Sequence, residues 1–215
     1  MKFFDDAIRL NRNLIVAYSK RKEAVKERNQ EDGLFSDGME RFKAGKLRDA
    51  LPIFQQCKTH DPYHPKIDEV LKLTEENIQS AKKSFEEAEK FRGMKNWSEA
   101  GKLYSKTLKL DSEYPDVASR QEEVVREEKT GQQLFDEGSS HFVGKKLTSA
   151  LNLFKQCKEQ SPYHSLVNNA LNDTEERLKK IAALHNEAEV SIKKHKHGNT
   201  IATLENLLDI YPLSL

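Results

Sequence analysis

The side chains best suited to chemistry in this sequence are those of two cysteines, Cys57 and Cys157. Each lies in a phrase that occurs twice, as FQQCKTHDPYH at 54–64 and as FKQCKEQSPYH at 154–164. A nucleophilic or redox-active thiol needs a neighbouring base or cation that lowers its pKa, and the sequence shows no such activating group for either cysteine. We therefore expect both thiols to be buried and to serve in packing.

The histidines are the next candidates. His64 and His164 follow Pro-Tyr at the end of each phrase, where we expect the tyrosine ring to pack over a helix end. The imidazole would then lie near the last helical carbonyls. The tract KKHKHGN at 193–199 is the one stretch that resembles a metal site. However, His195 and His197 are two residues apart and point to different sides of a helix, whereas chelation needs a spacing of three or four. We expect no metal and no cofactor.

The overall composition narrows the class of protein. Charged residues make up 33% of the 215 residues, with only 9 Gly and 6 Pro, which favours helices over short strands and turns. The net charge of +1 provides no global field that would attract nucleic acid or an anionic membrane. No apolar run approaches the ~20 residues of a membrane span, and two aspartates interrupt the opening MKFFDDAIRL where a signal peptide must be apolar. Together with unpaired thiols, this predicts a cytoplasmic protein.

The repeated phrase is the best-preserved part of a period of 50 residues. One column of this period holds large apolar residues, namely Phe4, Phe54, Tyr104, Phe154 and Leu204. Two other columns hold small residues, namely Gly38, Ala88, Gly138 and Ala188, and Ala50, Ala100, Ala150 and Thr200. Small residues let two helices approach closely, and a bulky residue one turn later fills the space beside them. The columns therefore predict one helical hairpin in each period.

Glycine and proline mark the ends of these helices. The stretches KAGKLRDA and HFVGKKLTSA place Gly45 and Gly144 in a short turn between two helices, and FRGMKNWSEA does the same with Gly93 and Asn96. Proline then ends the second helix, because the residue before it is pushed out of the α region. The prolines concerned are Pro62, Pro115, Pro162 and Pro212.

This pattern resembles the tetratricopeptide repeat (TPR), a helix–turn–helix unit whose signature includes Ala-x3-Phe followed by Pro. The matches are Ala50-x3-Phe54…Pro62, Ala100-x3-Tyr104…Pro115, Ala150-x3-Phe154…Pro162 and the weaker Thr200-x3-Leu204…Pro212. They define units of 34 residues at 31–64, 81–114, 131–164 and 181–214, preceded by a partial unit with a helix extension at 1–30. The early Trp of the family is absent, with Leu34, Ser84, Leu134 and Leu184 in its place.

The period of 50 leaves 16 further residues per unit, at 65–80, 115–130 and 165–180. These segments are rich in good helix formers, so we predict that they lengthen the first helix of the next unit to about 28 residues. A separate short third helix is the alternative. The predicted fold is all-α, a single TPR-like solenoid of stacked antiparallel helical hairpins over 1–215, and the resemblance implies a right-handed superhelix.

The concave surface of proteins that resemble this one holds an extended peptide or a partner helix. The residues of the first helices that we expect to line it are Met39, Phe42, Lys43, Phe85, Glu89, Arg92, Phe135, Ser139, Phe142, His185, Glu189 and Lys193. For Phe85 and Phe135, and for Phe35 in the same column, packing in the core is the alternative. Repeat domains that clamp the carboxylate of heat-shock chaperones carry Lys and Asn where this chain has Phe35 and Met39, so that ligand is disfavoured.

The predicted function is a non-catalytic scaffold or adaptor for protein–protein interaction, since no motif of a nucleotide-binding loop, hydrolase or metalloprotease is present. Two alternatives are a peptide-responsive regulatory receptor and the targeting arm of an enzyme or larger assembly outside this chain. Neither end of the array carries a polar cap. We therefore expect either a fragment of a longer array or ends that are buried in another chain, and self-association in both cases.

Overall fold

The computed structural model describes residues 2–10, 15–194 and 197–210, and all regular secondary structure in these ranges is α-helical. The helices are α1 (Lys2–Leu10), α2 (Ile15–Lys43), α3 (Leu47–His60), α4 (Ile67–Gly93), α5 (Trp97–Leu110), α6 (Val117–Val143), α7 (Leu147–Gln160), α8 (Val167–Lys193) and α9 (His197–Ile210). The all-α class is thus confirmed. None of the helices in the described ranges has the length and apolar character that a membrane crossing requires.

Long and short helices alternate from α2 onwards. Helices α4, α6 and α8 each have 27 residues and α2 has 29, close to the predicted length of about 28. Each runs without a break, so the added residues continue the first helix and form no separate third helix. The physical reason is that these stretches have strong helix formers and no internal proline to interrupt the backbone hydrogen bonds.

The chain forms two compact units. The first consists of Met1–Glu87 with Leu103–Ala118, and the second of Ala88–Lys102 with Ser119–Leu215. In the first unit, α2 and α3 pack around a core of four fully buried residues, Ala50, Phe54, Cys57 and Ile67. Partly buried side chains complete this core from the flanking helices: Leu34, Phe35, Met39, Phe42, Val70 and Leu71.

The second unit repeats this core with the same column positions. Its four buried residues are Ala150, Phe154, Cys157 and Val167, each 100 residues after its counterpart in the first unit. Leu134, Phe135, Phe142, Ala170 and Leu171 pack around them. Burial of both cysteines, which the sequence predicted, is confirmed, and neither forms a disulfide.

The long helices α2, α4 and α6 each end in a turn that contains one residue with positive φ. These residues are Gly45 at +74°, Lys95 at +58° and Lys145 at +60°. In the first turn, the N–H groups of Gly45 and Lys46 donate to carbonyls three and five residues earlier, at 3.0 and 2.9 Å. This is the Schellman motif, in which the left-handed residue has a fixed place after the end of the helix.

Gly45 and Gly144 lie in these turns as predicted, whereas Gly93 is the last residue of α4 and precedes its turn. The left-handed position falls two residues after Gly93 and one residue after Gly144, and lysine occupies it in both turns. The hydrogen-bond pattern, and not the residue type, determines which residue is left-handed. A non-glycine residue is accommodated there at a cost of about 1–2 kcal/mol.

The Pro-Tyr-His segments differ from the prediction. The tyrosine rings are exposed, with 93% of Tyr63 and 59% of Tyr163 open to solvent, and it is the imidazoles that pack. The ring of His64 lies 4.2 Å from that of Phe35, and the ring of His164 lies 4.4 Å from that of Phe135. The reason is the direction of the chain in the turn, which aims the second residue after the proline back at the long helix.

Candidate functional site

An apolar pocket of about 270 Å³ opens on the second unit. Three of the residues predicted to line a partner-binding groove lie together here, on one face of α6: Phe135, Ser139 and Phe142. The spacing of three and four residues along a helix places them on the same side. The remaining lining residues are Val143, Phe154, Leu166, Asn169, Ala170 and Asp173.

The wall of this pocket is held rigidly. Phe135 packs against buried Phe154 with ring centroids 5.6 Å apart, and the hydroxyl of Ser139 donates to the Phe135 carbonyl at 2.8 Å. On the other side, the guanidinium of Arg177 lies 4.3 Å from the centroid of the Phe142 ring. Such a cation–π contact fixes the ring at the edge of the pocket and places a positive charge beside it.

The rim of the pocket consists of Val143 and Leu166, two large apolar residues that are exposed to solvent. Solvent reaches 81% of Val143 and 53% of Leu166. In the earlier copies of the repeat, the matching positions hold Lys43 and Gly93, and Lys66 and Asp116. Since water disfavours exposed apolar groups, a rim that is apolar in one copy alone indicates a contact surface and not a requirement of the fold.

Polar groups border the apolar floor along α8. Asn169 and Asp173 line the pocket, and Arg177 follows one turn later on the same helix face. The pocket can therefore take an apolar side chain against Phe142 and Phe154 while amide and carboxylate oxygens bind polar groups of the same ligand. This combination of an apolar pocket with a few convergent polar groups is typical of binding sites.

Two further predicted groove residues, Glu89 and Arg92, belong to an ion-pair network in the second unit. Arg92 donates from Nη2 to Oε2 of Glu89 at 2.8 Å and from Nη1 to Oε1 of Glu123 at 3.1 Å. Arg120 donates from Nη1 to Oε2 of Glu123 at 3.2 Å. The two arginines and the two glutamates carry no net charge together, so their charges balance within the network.

The other predicted residues lie elsewhere. In the first unit, Met39 and Phe42 pack against the core around Phe54, while Lys43 is exposed. Phe85 packs between two tyrosine rings, at 6.0 Å from Tyr104 and 5.0 Å from Tyr114. The ring contacts of Phe85 therefore agree with core packing, which was the alternative for this column.

Near the end of α8, His185 and Glu189 are exposed and lie 3.5 Å apart between Nδ1 and Oε1. Lys193, the last residue of the helix, is also exposed. These three side chains are on the surface, and none of them lines the apolar pocket. Of the two histidines in the candidate metal tract, His195 lies outside the described residues and His197 is the first residue of α9.

Sequence reasoning missed Val143, Leu166, Asp173 and Arg177. A signal for the first two was available, because comparison of the columns 43, 93, 143, 193 and 66, 116, 166 shows an apolar residue at 143 and at 166 alone. For Asp173 and Arg177 there was no such signal. A charged residue on a helix surface gives no signal of a binding site in the sequence, because the aromatic ring beside it is seen only in the structure.

The thiol of Cys157 is poorly placed to act as a nucleophile. Burial raises the pKa of the Cys157 thiol, whose Sγ lies 3.3 Å from the Gly131 carbonyl, and a protonated thiol is a weak nucleophile. Among the described residues, no group of three His, Cys, Asp or Glu side chains is arranged to hold a metal ion. The arrangement at the apolar pocket is suited to binding.

Comparison with protein-family models, with curated protein sequences and with solved structures gave no match for this chain.

Proposed function

We propose that the chain is a non-catalytic adaptor with a TPR-like architecture, a right-handed solenoid of helical hairpins, that binds an extended or helical segment of another protein. The observation that carries this proposal is the apolar rim of Val143 and Leu166 around a pocket with a rigid aromatic wall. A preformed pocket lowers the ordering cost of binding, because the protein does not have to rearrange. The balanced charge and the lack of a disulfide at Cys57 and Cys157 support action in the cytoplasm.

The expected ligand follows from the lining. An apolar side chain of the partner enters between Phe142 and Phe154, and a neighbouring donor or cation of the partner binds the carboxylate of Asp173. Arg177 favours an acidic group near the same edge. We therefore expect an amphipathic segment, in which apolar residues recur at helical or extended spacing and charged residues flank them.

The test uses capture of partners by the intact chain, followed by quantitative mass spectrometry. In the variant V143K/L166K, lysine replaces the apolar rim as it does at the first-copy positions 43 and 66. The control N152K/Q156K adds the same charge at two exposed positions of α7. We expect the control to retain the partners of the unmodified chain and the rim variant to lose them at least tenfold in enrichment, because two lysines would place charges where an apolar side chain of the partner is buried.

Two results would contradict the proposal. If the rim variant retains the same partners, the pocket is not the binding site. If the control loses them equally, the effect is one of net charge. Far-ultraviolet circular dichroism on both variants shows whether the helices are intact.

A further inference from the structure

One column of the repeat accounts for the apolar pocket of the second unit. The period of 50 residues aligns Met39 with Ser139, and Ser139 lines the pocket. In the first unit, Met39 packs against the core around Phe54. Phe154 is the counterpart of Phe54 in the second unit, and it also lines the pocket. Serine therefore leaves open a space beside the phenylalanine where the first unit has a methionine side chain.

A second column acts in the same direction. Val70 packs against the core of the first unit, and its counterpart Ala170 packs against the core of the second unit and lines the pocket. Alanine lacks the two methyl groups of valine, so two walls of the pocket are set back in the same copy. Protein interiors contain few voids larger than a water molecule. A pocket of about 270 Å³ bounded by two shortened side chains is therefore suited to a side chain from another molecule.

The copy between these two shows that the hairpin does not require short residues here. Glu89 and Arg120 occupy the columns of Ser139 and Ala170, and they lie 3.8 Å apart between Oε1 and Nε. The same two columns thus hold a methionine and a valine in one copy, an ion pair in the next and short side chains in the third. The short pair is a property of the pocket and not of the repeat.

The charge at the pocket also departs from the preceding copy. Asp173 belongs to the column of Glu123, whose carboxylate accepts from Arg92 at 3.1 Å and from Arg120 at 3.2 Å. Phe142 stands fifty residues after Arg92, and the place of Arg120 is taken by alanine. The third copy therefore keeps the carboxylate of this column but has lost both arginines that accompany it in the second.

We propose, on the basis of the binding function proposed above, that the pocket takes one methionine side chain of a partner polypeptide, with a basic residue of the same segment beside Asp173. The volume of about 270 Å³ is below the ~300 Å³ at which pockets for small molecules begin, which suits a single side chain. The lining includes the rings of Phe135, Phe142 and Phe154, and a thioether sulfur makes favourable contacts with aromatic rings. Methionine is also unbranched, so it adapts to an irregular space.

The test is an NMR titration of the isotope-labelled full chain with the blocked peptide Lys-Ala-Ala-Ala-Xaa-Ala-Ala-Ala-Lys, in which Xaa is methionine, norleucine or serine. Both lysines lie one helical turn from Xaa and so flank it on the same face. We expect saturable shifts of the Phe142 and Asn169 amide resonances with methionine and norleucine, and at least about tenfold weaker binding with serine, which buries no aliphatic chain. Equal affinities for the methionine and serine peptides, or no saturable response to methionine, would overturn the proposal.

Filling the pocket from within locates the site. The variant S139M/A170V installs the residues of the first unit at both columns, and we expect it to weaken binding of the methionine peptide at least about tenfold, because its own side chains occupy the space. The control S149M/N152V adds the same side chains at exposed positions of α7 and should bind as the unmodified chain does. Undiminished binding by S139M/A170V would reject the site. If this variant fails to fold, the methionine and serine peptides on the unmodified chain still decide the matter.

The role of the carboxylate has its own pair of variants. D173N should weaken binding of the methionine peptide about two- to fivefold, as for an exposed ion pair, whereas E159Q, which removes an exposed carboxylate of α7, should have no effect. Equal effects of the two would contradict the part assigned to Asp173.

The failure of this proposal is distinguishable from the failure of the binding function itself. Capture of partners by V143K/L166K tests whether the pocket binds at all, whereas the peptide series tests which side chain enters it. Partners that are lost from the rim variant, together with peptides that bind equally, would leave the binding function intact and reject the methionine.

Discussion

The ring of Phe154 lies directly against the backbone of Gly138. A methyl group on this glycine would be 2.7 Å from Cε1 and 2.8 Å from Cδ1 of the ring, shorter than any side-chain contact that proteins tolerate. Phe54 makes the same contact with Gly38, with 2.5 Å to Cε1. In both units, α-helices thus approach to the distance that a bare backbone allows, and the phenylalanine fills the space.

We expect Gly138→Ala to destabilise the fold by about 1–3 kcal/mol, because the added methyl must displace a ring that is 1% exposed. Urea denaturation followed by circular dichroism measures this. Gly93→Ala is the control, since nothing lies within 4 Å of its new methyl group, and it should change stability by less than about 0.5 kcal/mol. Phe154→Leu added to Gly138→Ala should recover part of the loss. A stability of Gly138→Ala equal to that of the unmodified chain would contradict the close contact.

The helical elements of this fold could be predicted from the sequence because they depend on strictly periodic residues. Small residues at 38 and 138 and phenylalanines at 54 and 154 recur at a constant spacing, and each pair is a helix–helix contact in the structure. Such contacts are short-range in the hairpin, so a repeated pattern is enough to specify them.

The turns and the binding surface depend on details that a repeated pattern does not contain. Which residue becomes left-handed, for example Lys145 instead of Gly144, depends on where the last helical hydrogen bond forms. Whether Tyr163 or His164 packs on Phe135 depends on the direction of the chain after the proline. The candidate sites arise from positions where one copy departs from the others, and a search for agreement between copies overlooks them.

Lys145 has φ of +60° in a turn where glycine has the lower conformational energy. The strain of about 1–2 kcal/mol exceeds the extra entropy that glycine brings to the unfolded chain. We therefore expect Lys145→Gly to raise the free energy of unfolding by about 0.5–1 kcal/mol in urea titrations. Lys146→Gly, one residue later at φ −85°, should lower it, since no strain is relieved there. A loss of stability in Lys145→Gly would show that the side chain outweighs the backbone strain.

Arg92 holds the carboxylates of Glu89 and Glu123 in one network, and its side chain is 26% exposed. Arg92→Met removes one of the two arginines that contact both acids and leaves Arg120 at 3.8 Å from Glu89 and 3.2 Å from Glu123. We expect a loss of about 1 kcal/mol, reduced by solvent screening at this partly exposed position. Arg126→Met, on an exposed part of α6, is the control and should stay within about 0.5 kcal/mol of the unmodified chain. The predicted loss should also shrink in 0.5 M salt. An effect that is independent of salt would assign it to packing of the arginine stem.

His164 links stability to pH through the ring that packs on Phe135. Burial lowers the pKa of His164 below its ordinary value, and the carboxylate of Asp136 opposes this only in part. The unfolded chain therefore binds a proton at a higher pH than the folded chain does, so this group makes the fold less stable as the pH falls through the ordinary histidine range near 6.5. Above that range the imidazole is neutral in both states and the effect vanishes.

The variant His164→Phe keeps an aromatic ring against Phe135 but cannot take up a proton. We expect the unmodified chain to lose more stability than this variant between pH 7.5 and pH 5.5, measured as the free energy of unfolding in urea at both values. If the two chains lose the same amount, other groups carry the pH dependence. If the unmodified chain becomes more stable on acidification while the variant does not, the protonated imidazole gains a partner in the fold, and the direction of the pKa change is opposite to that given by burial.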